Sequence, residues 1–519
     1  MKASSTWPDI QYYVSLILLA VIFSKLWNKH AQKKIEQKFA TEKGCQPLLP
    51  WGARWPFGLG LLVKVSHYAK KQQLLHFFVT ALEQCPRTWE QNVLGATSIG
   101  TIEPENVEAV LSKQFSDFGL GLRSPSFYPL LGSGIFTQDG PEWKHSRDLL
   151  RPQFVQKRSE NFEQLRTSVK DLIECLPQNG VMDLQPLFFR LTFDTTTFLL
   201  FGKSMCSLQS EDVAGQEMEF ADAFNLAQDY LSHRSRLGKY YWLMNDRAFR
   251  NACKTCHRFV DDAVRSAVAN FASQGESVEG ESTHTFLNAL IQKTSNPKIL
   301  RDQCLNILLA GRDTTACLLS WTFRLLARHP RVLEKLRAEI GTTIGVGTSA
   351  PQPTRNDLKK MFYLNLVIKE VLRLYPSVPI NGRTAVKMTT LPRGGGKDGK
   401  SPILVRAGEG ITYLIYAIHR RKDIYGSDAE EFRPERWKDQ KLKDVGYGYL
   451  PFNGGPRVCL GQEFALMEAG YTIVRIIQQF RRIELPEDEA HIDIGMEKQN
   501  LTLVVVSAGG CRVNLGREV

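Results

Sequence analysis

The chain is short of several things that would narrow its function at once. No zinc-finger spacing and no RNA-binding signature occur in its 519 residues, and its basic residues are spread rather than massed. The net charge of +12 is therefore read as suiting an anionic membrane surface or an acidic partner protein, with no nucleic acid. No dinucleotide or flavin fingerprint stands at a strand-to-helix turn, so electrons for any redox chemistry come from a separate protein. Cysteine is sparse: ten are too few to staple a chain of this length, and most lie in apolar helical patterns. They read as free thiols in a reducing compartment. Nothing implies an oligomer. The apolar fraction of 43% is ordinary for a globular protein with a sizeable core.

What is present begins at the N-terminus. From Ile10 to Trp27 the chain is apolar apart from Gln11, Ser15, Ser24 and Lys25. With its flanks this is about the 20 residues that cross a bilayer core. Trp7, Tyr12, Tyr13 and Trp27 suit the interfaces, and Lys25, Lys29, Lys33, Lys34 and Lys38 predict a cytosolic flank. No small-residue cleavage site ends the run, which argues against a removed signal peptide. Residues 1–28 are read as a single-pass endoplasmic-reticulum anchor. Residues 29–60 are read as a linker, basic and then rich in Pro and Gly, and residues 61–519 as a cytosolic catalytic domain.

The chain is organised around Phe452-Asn453-Gly454-Gly455-Pro456-Arg457-Val458-Cys459-Leu460-Gly461, where a glycine-rich loop runs into a helical pattern from Gln462. A thiol at a helix N-terminus faces free N–H groups and the positive end of the dipole, which favours thiolate. Further upstream, Trp143 and Arg147 are four residues apart on one helix face and make a carboxylate clamp. A long buried helix is predicted from Asn296-Pro297 to His329-Pro330, on the order of 50 Å. Ala310-Gly311-Arg312-Asp313-Thr314-Thr315 lies at its middle, where a carboxylate beside a hydroxyl is costly unless used. Glu370 and Arg373 stand three apart on another helix. Phe115 to Leu130, apolar but broken by Gly and Pro, reads as the lip of a cavity. Leu184–Phe201 and Phe220–Trp242 read as helices, Ser273–Ser282 as a solvated loop, and Thr389–Gly399 as an exposed hairpin. Cys253-Lys254-Thr255-Cys256-His257 has the c-type haem spacing, but both cysteines fall on the apolar stripe of an amphipathic helix and are read as core.

Phe452, Gly455, Arg457, Cys459 and Gly461 spell F-x-x-G-x-R-x-C-x-G, which resembles the haem-ligand loop of the cytochrome P450 family. The mid-helix Ala310–Thr315 segment, the Trp143–Arg147 helix, Glu370-x-x-Arg373 and Phe432-Arg433-Pro434-Glu435-Arg436-Trp437 follow in the family's order. The resemblance implies a mainly α fold with a small β region, and haem b with Cys459 as axial ligand. It implies that Phe452 and Arg457 bind the cofactor, and that Trp143, Arg147 and Arg383 hold haem propionates. It gives Asp313 and Thr314 proton delivery, makes Glu370, Arg373 and Arg436 a structural triad, and brings Lys498-Gln499-Asn500 into the substrate pocket. Electrons would come from an NADPH–cytochrome P450 reductase, received near Arg420, Arg421 and Lys422.

The glycine-rich hairpin resembles that of fungal enzymes that ω-hydroxylate n-alkanes and long-chain fatty acids, which implies a small hydrophobic substrate taken at the membrane. Ile380, bordering the substrate side, stands where many of that group carry Arg. A polyketide or terpenoid intermediate is the alternative substrate. An oxygen-independent haem-thiolate isomerase or dehydratase and a haem-binding sensor or electron carrier are the alternatives of other kinds.

Overall fold

The computed structural model describes residues 7–49, 51, 58–93, 96–155, 159–209, 216–274 and 285–517. The loop expected at 273–282 falls almost wholly outside them, as do Pro50 and residues 52–57 of the expected linker.

The N-terminal helix does not stop at Trp27 but runs over Trp7–Glu42. Residues 28–42 contain no Pro or Gly, and Lys, Gln, Glu and Ala are strong helix formers. Gly44 adopts a left-handed φ of 64° just after the helix ends. Tyr12–Glu42 is long and apolar enough to be a candidate membrane span, and its apolar side chains are exposed. The segment expected to be a linker is partly docked. Gln46 N–H donates to Pro402 O at 2.9 Å, Trp51 N–H to Glu90 O at 2.8 Å, and Leu48 bridges Gly395. Arg406 Nε pairs with Glu36 at 3.0 Å and so ties the first helix to the sheet.

The core is built on the helix Pro297–Arg328. The Asn296 side chain accepts the N–H groups of Lys298 and Ile299, and Pro297 occupies the first turn, as expected of a capped start. Its apolar residues cover nearly the whole circumference, so it is buried all round and feeds two separate apolar clusters. One holds Phe188, Trp321 and Leu364; the other holds Phe220, Phe224 and Leu308. Cys253 and Cys256 lie in the second, on the helix Arg247–Gln274, with His257 Nε2 2.8 Å from Leu130 O. They are core residues. The predicted Leu184–Phe201 helix spans Gln185–Phe201. The one expected over Phe220–Trp242 spans Gln216–Leu237 and gives way to a 3₁₀ turn at Gly238, whose φ is 52°.

Polar groups on the long helix order the chain that crosses it. Asp302 Oδ2 accepts from Ser133 N–H at 2.9 Å, and Asn306 Oδ1 from Phe136 N–H at 3.1 Å. A Cβ on Gly132 would lie 2.1 Å from the Asp302 carboxyl, so only glycine permits the approach.

A five-stranded sheet flanks the helices in the order Thr88–Val93, Ala96–Thr101, Gly410–Tyr413, Asn381–Ala385, Phe118–Gly119. All its pairings are antiparallel except Ala96–Thr101 with Gly410–Tyr413. Gly394–Ser401 happens to spell G-x-x-x-x-G-K-S, the spacing of a phosphate-binding loop. It is the turn of the hairpin Thr389–Gly395/Ser401–Val405, and no helix follows to face a phosphate.

Glu370, Arg373 and Arg436 meet in a dry interior, each 0% exposed. Glu370 Oε1 lies 2.8 Å from both Arg373 Nη2 and Arg436 Nε. The guanidiniums then serve carbonyls of the segment from His419 to Glu431, which holds only the short helix Lys422–Tyr425. Arg373 Nη1 donates to His419 O and Ala429 O, and Arg436 donates to Tyr425 O and Asp428 O. His419 extends the network: its Nδ1 bonds Arg373 O, and its Nε2 accepts Leu450 N–H at 2.7 Å. Burial first, and then the Arg373 charge, hold this imidazole down at about 3, so it is neutral and one nitrogen is free to accept. Leu450 opens the segment that leads to Cys459. Removing the shared carboxylate by Glu370→Ala leaves two buried guanidiniums unpaired, and a loss of ~3–5 kcal/mol is expected in equilibrium unfolding.

Candidate active site

The loop before the helix Gln462–Gln479 is folded by its own backbone. Cys459 N–H donates to Phe452 O, and Val458 N–H to Gly455 O, both at 3.0 Å. Gly455 has φ 66°, and a Cβ there would lie 1.8 Å from Leu111 O, in the wide helical turn Ala109–Lys113. Backbone therefore touches backbone, and the loop sits at one height. Gly461 caps the helix and offers its N–H to the Cys459 thiol. Cys459 opens onto a cavity of about 260 Å³.

Four guanidiniums line that cavity: Arg123, Arg147, Arg383 and Arg457. Arg457 stacks over Trp143 at 4.4 Å, with Arg147 at 5.9 Å from the same ring and Phe115 packed against it. Arg147 Nη1 donates to Val458 O at 2.9 Å, which fixes the cysteine loop to this helix. Among the described residues only one of the four pairs with a carboxylate, Arg457 with Asp139 at 2.7 Å. Arg123 and Arg383 share neutral acceptors, Asn381 Oδ1 and Gly382 O. Burial and the nearby Arg383 charge push both Arg123 and Arg457 down to about 10. So much like charge in one pocket is stabilised only by anionic ligand groups. The remaining lining is largely apolar, with Leu120, Ile135, Phe136, Ile307, Val378 and Ile415. A flat apolar ligand with two carboxylates and an atom that takes a thiolate fits this set: haem.

The model of one protein family, described as cytochrome P450, matches residues 50–506. The chain belongs to the cytochrome P450 family. A cytochrome P450 of Arthroderma benhamiae is 56% identical over 97% of this chain and 98% of its own. Cytochrome P450 52A5 of Candida maltosa is 48% identical over 77% of each. In the crystal, the cytochrome P450DA heme domain shares the fold with a TM-score of 0.75 at 22% identity, covering 92% of this chain and 99% of that one. The enzyme is thus a haem-binding P450 monooxygenase, and the mainly helical fold with small sheets is the P450 fold.

Most of the site residues read from the sequence converge on the cavity: Trp143, Arg147, Arg383, Phe452, Arg457, Cys459 and Thr314. Asp313 does not. The same helix contributes Ala310, Gly311, Thr314 and Thr315 to the lining, but not Asp313. It is buried beside Arg312 Nη1 at 3.4 Å, bonds Gln228, and is pushed up by burial. Thr314 Oγ1 instead donates to Ala310 O at 2.7 Å. The thiolate expected of Cys459 is also qualified. Burial raises its pKa by more than the Gly461 N–H and the Arg147 charge lower it. The P450 chain alone does not make this thiol acidic; a metal bound to it would.

Three peripheral expectations differ as well. Ile380 packs against the apolar core and is not among the cavity-lining residues. The Lys498–Asn500 loop is held off the cavity: Gln499 Nε2 donates to Tyr416 OH, and Gln499 N–H to Gln72 O. The Arg420–Lys422 cluster is no free cationic patch. Arg420 is buried against Tyr416 and Glu430, Arg421 pairs with Glu103 and Asp423, and Lys422 reaches Glu83.

Arg123 escaped the sequence reading because no motif surrounds it; a cation inside the otherwise apolar Phe115–Leu130 lip was its one signal. Arg123→Ala is expected to weaken haem retention roughly tenfold, the scale of a hydrogen bond to a charged group, measured by haem transfer to an apo-globin. Cys459→Ser is expected to remove the thiolate-type absorption of the reduced carbon monoxide complex; an unchanged spectrum excludes Cys459 as the ligand.

Proposed function

We propose that this monooxygenase hydroxylates the terminal carbon of a long apolar chain, an n-alkane or long-chain fatty acid, with Cys459 as the axial ligand of haem iron. The supporting observation is the cavity lining. Its charged side chains are the four arginines, and these are assigned to the haem carboxylates, so the surface left to the substrate is hydrocarbon. Similarity to cytochrome P450 52A5 and other 52A proteins supports the same reading.

Arg123, Arg147, Arg383 and Arg457 hold and orient the cofactor, and two of them, Arg147 and Arg457, lie over the Trp143 ring. Leu120, Ile135, Phe136 and Ile307 exclude water and take up the alkyl chain. When bound, the haem supplies insertion of one oxygen atom of O₂ into a C–H bond. Thr314, hydrogen-bonded to Ala310 O, keeps its lone pairs toward the cavity, where it accepts a hydrogen bond. The first helix anchors the domain on the cytosolic face of the endoplasmic reticulum, where apolar substrates concentrate. An NADPH–cytochrome P450 reductase delivers electrons. Its acidic surface meets the outer face of the helix Gly140–Val155, where Lys144 and Arg151 are exposed behind Trp143 and Arg147.

A terpenoid or polyketide intermediate is the second reading. It is favoured by the cavity lining, which leaves a fatty-acid carboxylate no cationic partner once the four arginines are assigned to the haem. The test is turnover by the purified full-length enzyme with reductase and NADPH on alkanes, fatty acids and terpenoids. Terminal alcohols are expected; oxidation of terpenoids alone overturns the assignment.

A further inference from the structure

The helix after the cysteine loop carries a carboxyl group with no role so far. Glu468 is 1% exposed. Thr195 Oγ1 donates to its Oε1, and the Thr315 hydroxyl bonds the same carboxyl group. Thr315 lines the cavity above Cys459, as does Thr196 beside Thr195. Gly311 brings these elements together: a Cβ there would lie 2.7 Å from Thr196 Oγ1, so the helices Gln185–Phe201 and Pro297–Arg328 meet face to face. A carboxyl group thus stands one hydroxyl away from the cavity.

No ionised group acts on Glu468; only the two hydroxyls offset its burial. The charges on the helices packed around it are engaged elsewhere. On Gln185–Phe201, Asp194 takes the N–H groups of Ser207 and Leu208, and Arg190 acts on Cys175. On the long helix, Arg312 and Asp313 pair with each other. On Phe362–Leu374, Lys369 lies over the Trp437 ring, while Glu370 and Arg373 belong to the buried triad. Arg166 on Ser159–Glu174 pairs with Glu163. On Pro330–Thr343, Lys335 pairs with Glu435, Arg337 bonds Ile477 O, and Glu339 accepts backbone N–H groups. Asp357 on the short helix Arg355–Lys360 caps that helix through Thr354. On its own helix, Arg475 donates to Gln478.

We propose that Glu468 is a positioning residue that sets the direction of the Thr315 hydroxyl. As a neutral acid it donates its O–H to Thr315 Oγ1, which leaves the threonine O–H free to donate into the cavity. Once ionised, it can only accept, so the Thr315 O–H turns back to it and a lone pair faces the cavity instead. The exchange releases one proton to water and breaks no other bond. Burial pushes the Glu468 carboxyl up to about 8, so the acid form is the neutral-pH form and the cavity carries a hydrogen-bond donor there. The inference rests on the cavity being the haem pocket.

The test is infrared spectroscopy of the full-length holoenzyme across the pH range around 8, on the wild type, Glu468→Gln and Thr315→Val. The wild type is expected to show a protonated-carboxyl C=O band at neutral pH that fades as pH rises through about 8; Glu468→Gln lacks it. In the reduced carbon monoxide complex, the C–O stretch is expected to shift over the same interval in the wild type. It stays fixed in Glu468→Gln, whose amide N–H donates to Thr315 at every pH, and in Thr315→Val, which has no hydroxyl. A carboxylate already ionised at neutral pH, or a C–O stretch that titrates alike in all three proteins, overturns the proposal. Should Glu468→Gln fail to hold haem, Thr315→Val decides alone: its carboxyl band must titrate while its C–O stretch does not. No substrate is needed, so failure here is distinct from failure of the hydroxylation reading. A carbon monoxide spectrum without thiolate character would strike the haem assignment while leaving the carboxyl band in place.

Discussion

One carboxylate shared by two guanidiniums in a dry interior governs the rest of the structure. Glu370 neutralises part of the charge of Arg373 and Arg436, and their remaining N–H groups satisfy carbonyls between His419 and Glu431 that no helix or strand serves. The arginines add to the short helix Lys422–Tyr425 and the turns after it in holding that segment. The order passes through the neutral imidazole of His419 to Leu450, and from there into the loop of Cys459. A buried ion pair is weak evidence for stability by itself. Here its effect is geometric, since it decides where an otherwise irregular chain lies.

The cavity follows the opposite electrostatic logic. The triad nearly closes its charge balance internally, whereas the four arginines around Cys459 leave theirs open, with Asp139 as the one carboxylate paired with them among the described residues. Protein interiors keep unpaired charge where a ligand completes it, and the shape and polarity of the ligand follow from what is missing. Two anionic groups on an apolar body meet the need, and the thiol at the mouth of the helix is the group proposed to contact the metal.

The fold and much of the site were legible because they rest on local patterns. Asn296-Pro297 announces a helix start through its own capping chemistry, and an apolar circumference announces burial. Cys459, Trp143 and Arg147 were readable because short spacing places them on single elements. What was not legible depends on contacts between distant elements. Arg123 has meaning only beside Asn381 and Gly382, and Glu468 only beside Thr195 and Thr315. Asp313 and Thr314 are adjacent in sequence, so they looked like a pair, yet Thr314 lines the cavity while Asp313 meets Arg312 and Gln228. Arg420–Lys422 looked like a docking patch for the reductase because sequence does not show Glu430, Glu103 or Glu83 arriving from elsewhere.

The contact of Gly455 with the carbonyl of Leu111 has an evolutionary consequence. The height of the cysteine loop is gauged by main-chain atoms, which every sequence possesses, and not by side chains that drift. Residues around the cavity can therefore diversify, and with them the molecules oxidised, without moving the reactive centre. The cost of that freedom falls on a single position, where no side chain larger than hydrogen is admissible.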